Sequence, residues 1–276
     1  MRKKLCAFSM YAVVASSLLA GCATVSPPGL VIDTSTTAVS QDSRVQHLIL
    51  HFTTVNNALS LKILSQGPVS SHYLVTECVG DTPPQILRLV DENRRAFHAG
   101  VSSWKGVTAI NASSIGIEIV NLGGRKGPYS LEFQSFDDEQ MALVIELSKD
   151  IVARHGIKPE RVLGHSDIAP TRKNDPGPKF PWKRFADAGL ILWPDAALVA
   201  QKRVGFDAKL PDVKWFQEKM KAHGFEVPQH GELDRATRDV ISAFQMKYRP
   251  TLYDGQPDAE TAAMVDALVA QSAVRK

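Results

Sequence analysis

Residues 164–182 read GHSDIAPTRKNDPGPKFPW and bring His165, Lys173 and Asp175 into one short segment. Its proline, glycine and asparagine content predicts a loop rather than a helix or strand. A rigid loop that carries an imidazole, a carboxylate and an ammonium group can hold a metal ion and still leave room for a substrate. One further histidine would complete a three-ligand zinc site with an open fourth position. His51, at the end of the apolar run VQHLILHF, can supply it. His47 competes on the same face of that strand, but four residues of strand separate the two by about 13 Å, so they cannot share one ion. His51 stands at the strand end, where sites open to solvent, whereas His47 lies deeper and reads as a packed, hydrogen-bonded residue. Taken one at a time, each of these histidines also fits a structural role.

Glu118 is the one charged residue in IGIEIV, residues 115–120. A carboxylate on so apolar a strand is costly unless it has a cation partner or a chemical task. A general base beside a metal-activated water meets both conditions. A core glutamate paired with Lys173 or an arginine is the alternative.

These residues need a scaffold. Val45 to Phe52 is apolar almost throughout, as expected of a strand buried on both faces. His72–Val75, Ile86–Val90, Ile115–Val120 and Val162–Leu163 are further strand candidates. Asp137 to His155 reads as a helix, with Met141, Val144, Leu147 and Ile151 at helical spacing and Gly156 as its stop. Asp137 is its expected N-cap, with Gln140 as capping-box partner. Strands interleaved with helices predict a mixed α/β domain over residues 41–194. Residues 195–211 show little periodicity and read as a linker. Residues 212–276 contain three helical segments beginning at Asp212, Asp234 and Asp258, enough for a small bundle with a marginal core. No repeats stand out. A chain ending near Pro194 is therefore expected to fold alone.

The chain begins with Arg2, Lys3 and Lys4, an apolar stretch to Leu19, and then LAGC. A basic head, a short apolar core and small residues form a secretory signal peptide, here residues 1–21. The LAGC end resembles a lipobox, which implies lipidation of Cys22. No Asp follows Cys22, and by resemblance to enterobacterial lipoprotein sorting this favours the outer membrane. Residues 22–40 read as a tether. Removing the signal leaves about 255 of 276 residues, enough for one medium domain and a small one. Of three cysteines only Cys78 then remains unmodified, so no internal disulfide is expected, and Cys78 is expected to be buried and inert. A net charge of +3 is too weak to argue for a nucleic-acid partner.

The motifs LILHFT, SSHYLV, FHAG, NASSIGIEI and GHSDIAPTRKNDPGPKFPW run in that order across residues 45–182. Together they resemble the zinc-dependent N-acetylmuramoyl-L-alanine amidases of the AmpD and phage-lysozyme type. With the lipobox and tail, the whole chain resembles the outer-membrane lipoprotein member of that family. The resemblance implies one zinc ion held by His51, His165 and Asp175, with Glu118 as base on the zinc water and Lys173 stabilising the oxyanion. It implies hydrolysis of the amide between N-acetylmuramic acid, ordinary or 1,6-anhydro, and L-alanine of the peptidoglycan stem peptide. His98 and Trp104 in FHAGVSSW look like pocket-wall residues touching sugar or peptide, with core packing as the alternative. Tyr73, beside His72, is a third substrate-contact candidate for which a supporting or structural role is favoured. Asn111 is expected to brace the Glu118 strand. His155 and His223 end helices, where an imidazole suits the dipole. The tail motifs GELDRATRDVISAFQ and YDGQPDAETAAMVDAL resemble a three-helix peptidoglycan-binding domain, although Asp-x-x-Thr is also plain helix capping. The implied setting is the periplasmic side of the outer membrane, with peptidoglycan or muropeptides as partner and no protein partner. A wall-binding module without catalysis would lack a metal ligand, and a glycosidase would need a second placed carboxylate.

Overall fold

Val45 and all six residues of His47–Phe52 are buried, as a strand covered on both faces requires. The computed structural model describes residues 30–126 and 131–274. The segment read as a signal peptide, residues 1–21, and Cys22 lie outside the described residues. Residues up to Gln41 form one unit and Asp42–Lys276 a second. In the first unit, residues 30–41 are exposed and contain neither helix nor strand.

In the second unit the elements follow in order as β1 (His47–Phe52), α1 (Asn57–Gln66), β2 (Tyr73–Val75), β3 (Ile86–Arg88), β4 (Ser103–Trp104), β5 (Val107–Thr108), β6 (Ser114–Ile119), β7 (Gly124–Lys126), β8 (Leu131–Phe133), α2 (Asp138–His155) and β9 (Val162–Gly164). They continue as α3 (His165–Ile168), α4 (Trp182–Asp187), α5 (Ala196–Ala208), α6 (Val213–His223), α7 (Arg235–Tyr248) and α8 (Ala259–Val274). The central sheet has the order β3-β2-β6-β1-β9. β2, β6, β1 and β9 run parallel and β3 closes one edge antiparallel. This is the expected mixed α/β fold with a helical C-terminal region.

Strand alternation sorts β1 onto two cores. Leu48 and Leu50 join Ile115, Ile117, Met141, Val144, Ile151, Trp182 and Phe185, so that α2 and α4 cover one face. Ile49 faces the other way. It shares a core with Leu163, Trp104, Ile110 and Ile168, and also with Phe216, Phe225, Val240, Phe244 and Leu268 of the C-terminal helices. The tail thus covers part of the second face of the central sheet. The Trp104 ring stacks edge-on against Phe225 at 5.2 Å and His223 at 5.6 Å between centroids. Gly224 has φ +147°, and a Cβ there would meet the Trp104 ring at 2.6 Å. The Lys105 N–H donates to the Gly224 carbonyl at 2.8 Å. A region that shares its core in this way is not expected to detach freely, contrary to the reading of residues 41–194 as self-sufficient.

Local expectations change in several places. The segment read as a linker is helix α5, capped by Asp195, whose side chain accepts from Leu198 N–H at 2.8 Å. Its α8 contact is tied by Lys202–Asp266 at 2.6 Å; with no buried residue of its own, α5 lacks the apolar stripe that would have marked it. Gln140 is no capping-box partner. Its Nε2 donates to Val120 O at 2.8 Å and Thr76 O at 3.1 Å, stitching α2 to the strand ends, and Asp137 makes no side-chain cap bond. Cys78 is half-buried rather than buried, with its thiol 3.8 Å from Glu139 Oε2, because it lies in the loop after β2.

The tail does contain a repeat, G-x-x-D-x-x-T at Gly231–Thr237 and Gly255–Thr261. Asp234 and Asp258 cap the N–H groups of Thr237 and Thr261, each at 2.8 Å. In each copy a buried glutamine from the preceding helix closes the turn. Gln217 accepts from Gly231 N–H at 2.8 Å and donates to Thr237 Oγ1 at 2.9 Å. Gln245 accepts from Gly255 N–H at 2.9 Å and donates to Thr261 Oγ1 at 3.1 Å. Asp-x-x-Thr is therefore capping plus a buried polar clasp.

Candidate active site

The parallel register sets Cα of His51 on β1 opposite Glu118 on β6. Both stand near the C-terminal ends of their strands, where parallel sheets open into clefts. β9 ends at Gly164 and leads directly into α3, so His165 begins a single helical turn rather than lying in a loop. Ser166 N–H donates to the Asp175 carbonyl at 2.8 Å, which returns the Pro- and Gly-rich segment over that turn.

His51, His165 and Asp175 are all buried, and their donor atoms converge. His51 Nδ1 lies 3.0 Å from His165 Nδ1 and 3.0 Å from Asp175 Oδ2, and His165 Nδ1 lies 3.1 Å from the same oxygen. Donors around a tetrahedral zinc with bonds of about 2.0–2.1 Å would sit about 3.3 Å apart, so this triangle fits one face of such a site. The outer ring nitrogens are already engaged. His165 Nε2–H donates to Ala99 O at 3.1 Å, and His51 Nε2–H donates to His98 Nδ1 at 2.9 Å. His98 Nε2–H in turn donates to Ser114 Oγ at 3.1 Å. The Ala99 carbonyl thus fixes His165 with its Nδ1 lone pair turned inward, the tautomer a metal requires, and His51 has the same tautomer when its Nε2–H donates to His98. Burial, reinforced by His165, lowers His51 to about 4, so it is neutral and able to ligate. Burial alone would raise the Asp175 carboxyl, but the charges and hydrogen bonds of His165 and His51 hold it below the usual carboxylate range.

Glu118 is half-buried, and its Oε2 is shielded from solvent with no hydrogen-bond partner among the described residues. Burial pushes its carboxyl up to about 8, the charge of Asp175 adds to this, and Lys173 opposes it. No ion pair at Glu118 is formed among the described residues, so the core-salt-bridge alternative loses its partner. A cleft of about 550 Å³ contains Glu118, Lys173, His98 and the ligand triad on its walls.

The other candidates separate. His98 lines the cleft, yet its ring nitrogens are spent on His51 and Ser114, so it orients a ligand. A Cβ on Gly116 would meet the His98 ring at 2.6 Å, and Asn111 Oδ1 accepts from His98 N–H at 3.1 Å and Ala99 N–H at 2.8 Å. Asn111 thus braces the His98 loop rather than the Glu118 strand. Trp104 is core: 1% exposed, its indole N–H donates to Glu160 O at 2.9 Å. Tyr73 donates to Glu92 Oε1 at 2.7 Å and lies outside the cleft. His223 is buried among Trp104, Phe225 and Phe244 and driven by burial to about 3, so no charge on it meets a helix dipole.

Three contributors were missed. Arg172 Nη2 donates to Ala99 O at 2.9 Å and Val101 O at 2.7 Å, tying the carbonyl that orients His165. Arg235 and Asp239, at the start of α7, stand on the cleft wall. Gly116 in IGIEI was a readable signal for a ring packed on the strand; an Arg-Asp pair in a distant helix gives none.

The sequence matches the N-acetylmuramoyl-L-alanine amidase family over residues 41–178. The chain belongs to that family. A peptidoglycan binding domain family matches residues 209–265 of the amidase. The amidase is 42% identical over 264 residues to N-acetylmuramoyl-L-alanine amidase AmiD of Escherichia coli K12, across 93% of this chain and 95% of the relative. The structure of E. coli AmiD in complex with anhydro-N-acetylmuramic acid-L-Ala-D-gamma-Glu-L-Lys matches with TM-score 0.81 at 41% identity, covering 90% of this chain and 97% of that one. AmpDh3 from Pseudomonas aeruginosa in complex with anhydromuramic pentapeptide matches with TM-score 0.83 at 38% identity, covering 88% and 99%.

Proposed function

We propose that this amidase uses zinc, held by His51, His165 and Asp175, to hydrolyse the amide between the lactyl group of N-acetylmuramic acid, ordinary or 1,6-anhydro, and L-alanine of the stem peptide. The observation that carries the reading is the buried Nδ1, Nδ1, Oδ2 triangle beside an unpartnered carboxylate on the adjacent strand. The substrate named for AmiD contains that amide, and AmpDh3 is in complex with an anhydromuramic pentapeptide. Zinc, when bound, supplies Lewis acidity and a water acidified toward about pH 7. Glu118 accepts the proton of the attacking water and returns it to the leaving amine. A carboxylate on the cleft wall with a buried oxygen not already spent on a hydrogen bond can do both. The Lys173 ammonium, on the same cleft wall, offsets negative charge on the former carbonyl oxygen. His98 and Ala99 hold the two ligand imidazoles so that neither reorients during turnover.

The same reading places the enzyme on the outer membrane, facing the periplasm, through lipidated Cys22. The basis is LAGC followed by Ala23. The tail is read as a contact to peptidoglycan. Purified protein stripped with a chelator and reloaded with zinc, then incubated with muropeptides, tests the chemistry. Mass spectrometry should show free stem peptide with an L-alanine amine and a sugar with a free lactyl acid, only in the reloaded sample. Cleaved glycosidic bonds, or binding without products, would overturn it.

A further inference from the structure

Asp167 is 1% exposed, a carboxylate sealed inside the protein two residues beyond His165. Its Oδ2 accepts from Gly164 N–H at 2.8 Å, capping the single turn α3. The same oxygen accepts from Lys247 Nζ at 2.7 Å. Lys247 belongs to α7, some eighty residues away in sequence, and is itself only 5% exposed. Its Nζ also donates to Val162 O at 3.3 Å and sits 4.3 Å from the centre of the Trp182 ring. A buried carboxylate needs a counter-charge, and here the charge is delivered by the tail.

Two ligands hang on the turn that this pair fixes. His165 is its first residue, and Ser166 N–H holds the backbone carbonyl of Asp175. There is little slack nearby, because a Cβ on Gly164 would meet Pro176 Cδ at 2.6 Å and Trp182 at 3.1 Å. We propose that Lys247 is a positioning residue for the metal site: through Asp167 it sets the α3 turn and hence the placement of His165 and Asp175. The helical tail is thereby part of the catalytic apparatus and not solely a wall contact. This rests on the metal reading above.

Zinc affinity separates this role from general stability. Lys247→Met removes the counter-charge, and Lys247→Gln keeps a donor without charge should the methionine variant fail to fold. Lys202→Met is the control, since it breaks an ion pair to Asp266 inside the tail that does not reach α3. Zinc dissociation constants are measured by chelator competition on the full chain well below its melting temperature, together with the visible spectrum of the cobalt-substituted protein. Loss of a group supporting a ligand is expected to weaken zinc binding about 10–100-fold and to shift the cobalt bands. KM for a soluble muropeptide should be unchanged, kcat should recover with excess zinc, and Lys247→Arg should restore most of the affinity. Wild-type affinity and cobalt spectrum in both Lys247 variants would overturn the proposal while leaving the metal reading intact. An equal loss in Lys202→Met would overturn it too, by assigning the effect to tail stability. Failure of the wild-type chain to take zinc would sink both readings.

Discussion

Cutting the chain after Pro194 tests whether the second face of the sheet depends on the tail. The cut exposes Trp104, now 1% accessible and stacked on Phe225 and His223. A tryptophan buries about 150–250 Å², worth up to about 4–6 kcal/mol at about 25 cal/mol per Å². It also strands Asp167 without Lys247, and breaking a buried pair from one side costs about 3–5 kcal/mol. The two losses together, about 7–11 kcal/mol, match a typical domain stability of about 5–15 kcal/mol, before Ile49, Ile110, Leu163 and Ile168 are counted. The 1–194 fragment is therefore expected to lack a cooperative melt, to bind a hydrophobic dye, to be cut rapidly by protease and to hydrolyse even small soluble muropeptides poorly. Calorimetry and near-ultraviolet circular dichroism of fragment and full chain make the comparison. A fragment melting cooperatively within a few degrees of the full chain would show that the shared core contributes little.

Glu118→Gln should retain zinc and bind substrate while turnover falls by roughly 10²-fold or more; near-normal turnover would move the base elsewhere. The same residue makes a pH prediction for the metal-free protein. Its carboxyl titrates near 8 when folded against 4.5 ordinarily, so between those values the folded state holds a proton that the unfolded state has released, and stability falls as pH rises until it levels above about 8. Glu118→Gln should remove that contribution and gain on the wild type by on the order of a few kcal/mol between pH 5.5 and 8; an equal stability difference between the two proteins at both pH values, read from urea unfolding, would refute it. His165→Ala should lose most bound zinc, because two remaining ligands make a weak site, and full occupancy by metal analysis would reject the ligand set. Cys22→Ser should abolish lipid labelling and membrane fractionation, and a wild-type protein already soluble in the periplasm would exclude the anchor.

The parts of the fold readable in the sequence were those with a strong local pattern, an apolar run or a period. The run to Phe52, IGIEIV and the helix ending at Gly156 each carried it, as did the helices capped by Asp212, Asp234 and Asp258. The grouping of His51, His165 and Asp175 was legible because their residue types suit a metal and their motifs resemble a family's, and Glu118 because a charge stood alone in an apolar strand. Trp104 could not be settled between pocket wall and core from FHAGVSSW alone: His98 in that segment faces the cleft, while the tryptophan six residues later turns into a core that forms only when α6 and α7 arrive. Helix α5 was missed because it packs on α8 through ion pairs and half-buried contacts. Lys247 carried no signal, since a lysine in an amphipathic helix ordinarily faces solvent. Its partner is set by tertiary packing alone.

One face of the sheet must satisfy two opposed demands, and position along the strand separates them. A parallel sheet needs cover on both sides, yet chemistry at its carboxyl ends needs an opening. On β1, Ile49 lies in the core shared with the tail, and His51, two residues further on the same face, lines the cleft. On β6, Gly116 beside Ile49 takes the His98 ring where a side chain would block it, and Glu118 beside His51 is left without a partner. Helix α7 repeats the division: Phe244 and Lys247 reach into the interior, while Arg235 and Asp239 stand on the cleft wall. Helix α7, which helps to seal the apolar half of this face, thus also borders the open half, and this ties the geometry of the cleft to the docking of the tail.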